Sequence, residues 1–254
     1  MSNFSFDVGD PATLEVRVST GKIDFATASA GHITVDVSGS GADFIIVEQA
    51  GNTVTIREER HLWGSRTVSI RAAVPAGTNV ELAVAAADVL SRVDLGRVFG
   101  KTASGDVDLG RVEALELRTA SGDVRVDTCA GVCEFGSASG DLRIHQVEGD
   151  VRVSTASGDV TVERPAGRLE IKTASGDINI RSCFGDSLEA VSMSGDIHLG
   201  VPEGTRVEAD IDSLSGEVKL PTRRPPGGDS VRQLRVRAKT VSGDIELRRV
   251  PSGT

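Results

Sequence analysis

Eight regularly placed acids are the first candidates for chemistry. Ser-Gly-Asp recurs at 104–106, 121–123, 139–141, 157–159, 175–177, 194–196 and 242–244, and Ser-Gly-Glu stands at 215–217. If equivalent positions stack, Asp106, Asp123, Asp141, Asp159, Asp177, Asp196, Glu217 and Asp244 form a column of carboxylates. Such a column repels itself, and Ca²⁺ held between the acids would relieve the repulsion. Turn chemistry accounts for the same residues, because Asp and Ser in a tight bend accept hydrogen bonds from nearby backbone N–H groups. The Gly-Gly-x-Gly-x-Asp pattern of Ca²⁺-binding β-rolls is missing. The column is therefore read as structural, with a Ca²⁺-stabilised β-roll kept as an alternative.

The remaining reactive side chains are sparse. Cys129 and Cys183 each fall six residues after an acid, in a column shared with Val112, Val147 and Pro165. Three coils separate them, about 14 Å at the spacing of strands, which is beyond disulfide reach. Cys133 takes an inward strand position, so all three thiols read as small core side chains. The histidines are His32, His61, His145 and His198. Ser194, Asp196 and His198 could be drawn as a triad, but the same Ser/Asp spacing recurs elsewhere without His. His198 falls in an outward column beside Asn179 and Lys219 and reads as solvated. No Gly-x-Ser-x-Gly elbow, Walker loop, Gly-x-Gly-x-x-Gly fingerprint or His-Glu-x-x-His helix is present. No catalytic, cofactor-binding or metal-ligating residue is assigned.

The elements that would carry these residues are strands. The repeat is close to 18 residues long, which is one coil per repeat. One position after each acid lie Val107, Val124, Leu142, Val160, Ile178, Ile197, Val218 and Ile245; three positions after lie Leu109, Val126, Ile144, Val162, Ile180, Leu199, Leu220 and Leu247. Polar residues fill the places between, so each segment alternates as a half-buried strand does. A second strand leads into each bend, with Leu115/Leu117, Cys133/Phe135, Val151/Val153 and Leu169/Ile171 at equivalent inward places. Gly131, Gly149, Gly167, Gly185 and Gly204 mark a second corner. Glycine at both corners is expected to supply positive φ. One coil buries about five apolar side chains at roughly 1.5–3 kcal/mol each, against about 1–2 kcal/mol of backbone entropy per residue. Coils must therefore stack. The fold class is all-β, a β-solenoid (β-helix or β-roll-like) of ~18-residue coils joined by Ser-Gly-Asp turns.

Three stretches are distinguished within what reads as one continuous domain. Residues 1–90 are β-rich but irregular, with a hairpin tip at Ala50-Gly51-Asn52. Residues 91–220 are regular coils, and residues 221–254 are a loop (Pro221 to Ser230) followed by the final coil. Val74-Pro75-Ala76-Gly77-Thr78-Asn79-Val80-Glu81 returns as Val201-Pro202-Glu203-Gly204-Thr205-Arg206-Val207-Glu208, which ties the two ends to one architecture. Trp63, in a loop, is a candidate contact residue that reads as a cap on the first coil.

The net charge of −9 argues against nonspecific binding of nucleic acid or an anionic membrane. From Pro221 onward the charge is +5 and elsewhere it is −14, a split that reads first as solvated surface charge, with head-to-tail contact between copies as the alternative. No transmembrane segment or leader is visible, and three cysteines fit a reducing compartment, so a cytoplasmic location is expected. Aromatic residues make up 3% of the chain, few for a protein that grips sugars.

The Thr-Ala-Ser-Gly-Asp-Val type repeats at Thr102–Val107 and Thr155–Val160, with the lead-in Arg71-Ala72-Ala73-Val74-Pro75-Ala76-Gly77-Thr78, carry a resemblance. On them the chain resembles the "putative adhesin" family of bacterial β-strand repeat proteins, DUF4097. The resemblance covers nearly the whole chain and implies the repeat fold; the family name implies an exterior location. No agreed chemistry comes with it, and its link to envelope-stress systems is an analogy of fold. The expected function is a non-enzymatic structural or interaction scaffold that binds a protein partner or itself through solenoid ends. A carbohydrate-binding or carbohydrate-active solenoid is the alternative from another class. If the acid column is structural, the melting temperature is unchanged by chelator; a drop on adding EDTA would restore the Ca²⁺ reading.

Overall fold

The computed structural model describes residues 2–59, 67–221 and 232–251. His61, Trp63 and all of the 221–230 loop except Pro221 lie outside the described residues. Strand makes up 70% of the chain and helix 1%, in a β-solenoid-like fold. The described residues divide into two compact units, 1–127 and 128–254.

In both units the alternating residues pack as the repeat predicts, except Val218 and Leu220, which are exposed. Within the first, Val107 lies beside Val89, and Leu115 and Leu117 lie over Val98 and Gly100. Within the second, one file runs Leu142, Val160, Ile178, Ile197. A parallel file on the leading strands runs Cys133, Val151, Leu169, Leu188. These side chains are buried. Aliphatics suit this interior because each rung offers only a thin layer between its two strands, and branched side chains pack well on a pleated surface.

Positive φ, as expected, is found at the corner residues Gly195 (148°), Gly204 (79°) and Gly243 (152°), but at most corners glycine has a different cause. Gly122, Gly149, Gly158, Gly167, Gly176 and Gly185 do not have positive φ. A Cβ on each would instead land on the carbonyl of the glycine one rung below: Gly167 on Gly149, Gly176 on Gly158, Gly185 on Gly167. Backbone stacks on backbone there, with no room for a side chain.

The first unit departs from a simple coil near the N-terminus. Strand Ser2–Asp7 pairs antiparallel with His32–Gly39, which pairs antiparallel with Val68–Val74. Ile45–Ala50 and Thr53–Glu58 form the hairpin whose tip includes Gly51.

Rungs do not follow sequence order throughout. Strand Thr13–Thr27 lies between two later segments: Leu14 faces Val54 on one side and Val80 on the other, and Ile23 faces Ile70 and Val89. The second unit repeats the device. Strands Gln233–Ser242 and Ile245–Val250 form a rung inserted between the rung 187–202 and the rung 206–219. Val236 faces Leu188 and Ala209, and Ile245 faces Ile197 and Val218. The last coil in sequence is thus not the last in space.

At each insertion the chain climbs two rungs, about 10 Å at the strand spacing, and the echoed octapeptide makes the climb. Thr78 N–H donates to Pro75 C=O (3.3 Å) and Thr205 N–H to Pro202 C=O (3.3 Å). Gly77 and Gly204 have φ of 80° and 79° with open space around them, so here positive φ is the requirement. The next residue then donates to the rung passed over: Asn79 N–H to Ala12 C=O (2.9 Å) and Arg206 N–H to Arg232 C=O (2.7 Å).

Gly167→Ala should lower the stability of the chain by about 1–3 kcal/mol, since overpacking must move backbone. Urea unfolding measures this; an unchanged midpoint would show that the corner accepts a Cβ.

Candidate interaction surface

The carboxylate column holds rungs together. In the first unit Asp123 N–H donates to Asp106 Oδ1 (3.0 Å), and Asp106 N–H to Asp88 Oδ1 (3.2 Å). In the second, Asp159 N–H reaches Asp141 (2.9 Å), Asp177 N–H reaches Asp159 (2.9 Å) and Asp196 N–H reaches Asp177 (2.8 Å). The inserted rung then takes its place: Asp244 N–H donates to Asp196 and Glu217 N–H to Asp244, both at 2.8 Å. The acceptors are structural, but the bonds run from rung to rung rather than within one turn. No group of three or more potential metal ligands gathers among the described residues. Buried hydroxyls brace the same bend: Gly105 N–H donates to Thr102 Oγ1 (3.1 Å) and Gly122 N–H to Thr119 Oγ1 (2.9 Å).

All three cysteines are buried and none is in a disulfide. Cys129 and Cys133 touch across the Gly131 corner, a contact that comparing Cys129 with Cys183 by column does not reveal. The hydrogen bond to Cys129, and then burial, hold the Cys133 thiol well above its ordinary range. Burial pushes Cys183 up to about 11.

The histidines sit beside carboxylates: His32 Nδ1 is 2.7 Å from Asp7, His145 Nδ1 2.9 Å from Glu163 and His198 Nδ1 3.4 Å from Glu246. His198 pairs in register with Asn179 and Glu246, not with Lys219 as expected, because the inserted rung intervenes. The atoms of the drawn triad are therefore engaged apart, Asp196 with the Asp244 amide and His198 beside Glu246.

One groove of about 460 Å³ in the first unit is lined by Glu81, Arg97, Phe99 and Glu113, among others. Phe99 is 38% exposed, and Lys101 Nζ stands 5.9 Å from its ring centroid.

The second unit carries the larger anomaly. The rung formed by Arg206–Ser215 and Val218–Lys219 has the inserted rung on one side and, among the described residues, no strand on the other. Val218 and Leu220, expected to point into the core, are 40% and 59% exposed, since no strand among the described residues lies over them. The residue before the bend's serine is Ala103, Ala120, Ala138, Ala156 and Ala174 in five repeats, but Met193, Leu214 and Val241 in three. The register on either side of these three places them next to one another: Ser192 and Ser194 pair with Thr240 and Ser242, which pair with Ser213 and Ser215. They form a ridge, exposed by 62% at Met193, 48% at Val241 and 82% at Leu214.

A family model, Toastrack DUF4097, matches residues 12–248. The chain belongs to the Toastrack DUF4097 family. Among solved structures, the Toastrack chain is similar to a putative lipid binding protein of Parabacteroides distasonis, at 14% identity and a TM-score of 0.48, with 98% of this chain and 96% of that one covered. It is also similar to putative adhesins of P. distasonis (14% identity, TM-score 0.44) and Bacteroides fragilis (14%, 0.42), each over 97% of this chain and 96% of that one. No curated protein matches it.

In this Toastrack chain the ridge is written in the repeat column before serine, but its contiguity depends on the order of rungs. No helix among the described residues is long and apolar enough to cross a membrane.

The buried thiols give the chain an alkaline limit. The native state keeps the Cys183 proton up to about 11, while an unfolded chain gives it up near 9.0. The stabilising contribution is complete below the unfolded value and is lost as pH rises through the folded one. Urea midpoints should therefore fall from pH 9 towards 11, and less steeply in Cys183→Ala; identical slopes would contradict the assignment.

Proposed function

We propose that this chain is a non-enzymatic interaction scaffold whose protein-binding surface is the ridge Met193–Val241–Leu214 beside the uncovered rung. The observation that carries this reading is the replacement of alanine by three large apolar side chains at stacked, exposed positions. Contiguous exposed apolar surface marks interaction sites. Support for a non-enzymatic role comes from the reactive groups: the column acids bond backbone amides, and the thiols are buried.

A protein partner is favoured over a second copy. Among the described basic residues behind the head-to-tail expectation, three are used within their own unit, Arg235 with Glu208 (3.7 Å), Arg237 with Asp210 (3.7 Å) and Arg248 with Glu246 (3.8 Å). The groove at Phe99 favours a second reading, carbohydrate binding, because an exposed ring there stands beside two acids and Arg97.

The triple variant Met193→Ser, Val241→Ser, Leu214→Ser separates these readings. All three positions are exposed, so the melting temperature should hold within a few degrees. Proteins retained by the wild-type chain from native lysate should be lost by the variant, and sedimentation should give a monomer from low to high salt. An identical retained set would reject the ridge, and loss of glycan binding in Phe99→Ala would favour the second reading.

A further inference from the structure

The exposed edge of strand Arg206–Ser215 has a chemistry of its own. We propose that this edge is a strand-addition site for an extended segment of another protein in which apolar residues alternate with Arg or Lys, an assignment that rests on the scaffold role proposed for the chain.

The backbone supplies the first requirement. Arg206 N–H donates to Arg232 C=O on the inserted-rung side, and the register continues unbroken from Arg206 to Ser213. Peptide groups in a strand alternate in direction. Those of Arg206, Glu208, Asp210 and Asp212 therefore face the inserted rung, and those of Val207, Ala209 and Ile211 face outward. Exposed edges of this length are ordinarily blunted by proline, a bulge or an inward-pointing charge. This ten-residue strand has no proline, and Val207, Ala209 and Ile211 occupy its inward places. A further strand laid on it would extend the files Leu188–Val236–Ala209 and Ala190–Ala238–Ile211 by one apolar residue each.

Charge selects which strand. The outward row is Glu208, Asp210 and Asp212, all exposed. On the occupied side the chain shows what this row accepts: Glu208 faces Arg235, Asp210 faces Arg237 and Asp212 faces Lys239. Arg237 stands between two acids, 3.7 Å from Asp210 and 3.9 Å from Glu189, so a strand with basic residues outward is held from both flanks. On the other flank, with no strand there among the described residues, the same acids are exposed. Acidic edges repel one another, so two copies are kept from joining here while a basic strand is drawn in. The ridge at Leu214 lies at the end of the same strand and adds apolar contact. Strand addition takes affinity from the main chain and specificity from alternate side chains, and this edge supplies both.

The test uses the full chain and a labelled synthetic peptide with the sequence of Gln233–Val250, read by fluorescence anisotropy and hydrogen exchange. Saturable binding is expected, weakened at least tenfold at high salt and at least tenfold when the peptide carries Arg235→Glu, Arg237→Glu and Lys239→Glu. Exchange should slow at the amides of Val207, Ala209 and Ile211. Ala209→Pro removes one outward donor while sparing the ladder to the inserted rung, and should weaken binding tenfold. Should that variant not fold, the amide protection in the wild-type chain decides the matter alone. Protection absent from 206–215, uptake of the peptide in place of the chain's own 233–250, or a dimer of the unliganded chain would each overturn the proposal. Loss of lysate partners in the ridge variant but not in Ala209→Pro would overturn it while leaving the scaffold reading intact.

Discussion

Parallel stacking at the strand spacing is the constraint on which the rest of this structure depends. Each rung hands backbone hydrogen bonds to the next with side chains in register, so every column must suit a neighbour of its own kind about 4.8 Å away. Aliphatic columns meet that demand by burial. The acid column meets it where a carboxylate accepts the next rung's amide, as Asp159 does from Asp177. The glycine columns meet it by having no side chain, as at Gly149 and Gly167. Three unlike residue types thus answer one geometric requirement.

The same constraint gives the inserted rungs their meaning. A two-rung climb leaves backbone donors and acceptors that only another strand can satisfy, and buried peptide groups without partners are costly. The segments 13–27 and 233–250 fill the gaps, and each does so with its apolar residues inward. Filling the second gap with residues 233–250 leaves rung 206–219 outermost in its unit among the described residues. The open edge, the acidic row and the exposed Val218 and Leu220 all result from that single ordering.

Chemistry is correspondingly quiet. Among the described residues, amides bond the Asp column, burial pushes the Cys183 thiol up to about 11, and His145 and His198 stand beside Glu163 and Glu246. The uncovered edge of the second unit offers shape and charge.

The sequence by itself determined the all-β solenoid, the two strands per repeat and the inward columns, because an 18-residue period with strict alternation admits no helix. It also contained the echo of Val74–Glu81 in Val201–Glu208, though not its purpose. Only the tertiary structure decided that the echo is a two-rung climb, that His198 lies beside Glu246, and that Met193, Val241 and Leu214 adjoin. The physical reason is that a repeat specifies what can lie on what. Rungs so alike accept one another in more than one order, and the repeat does not state which.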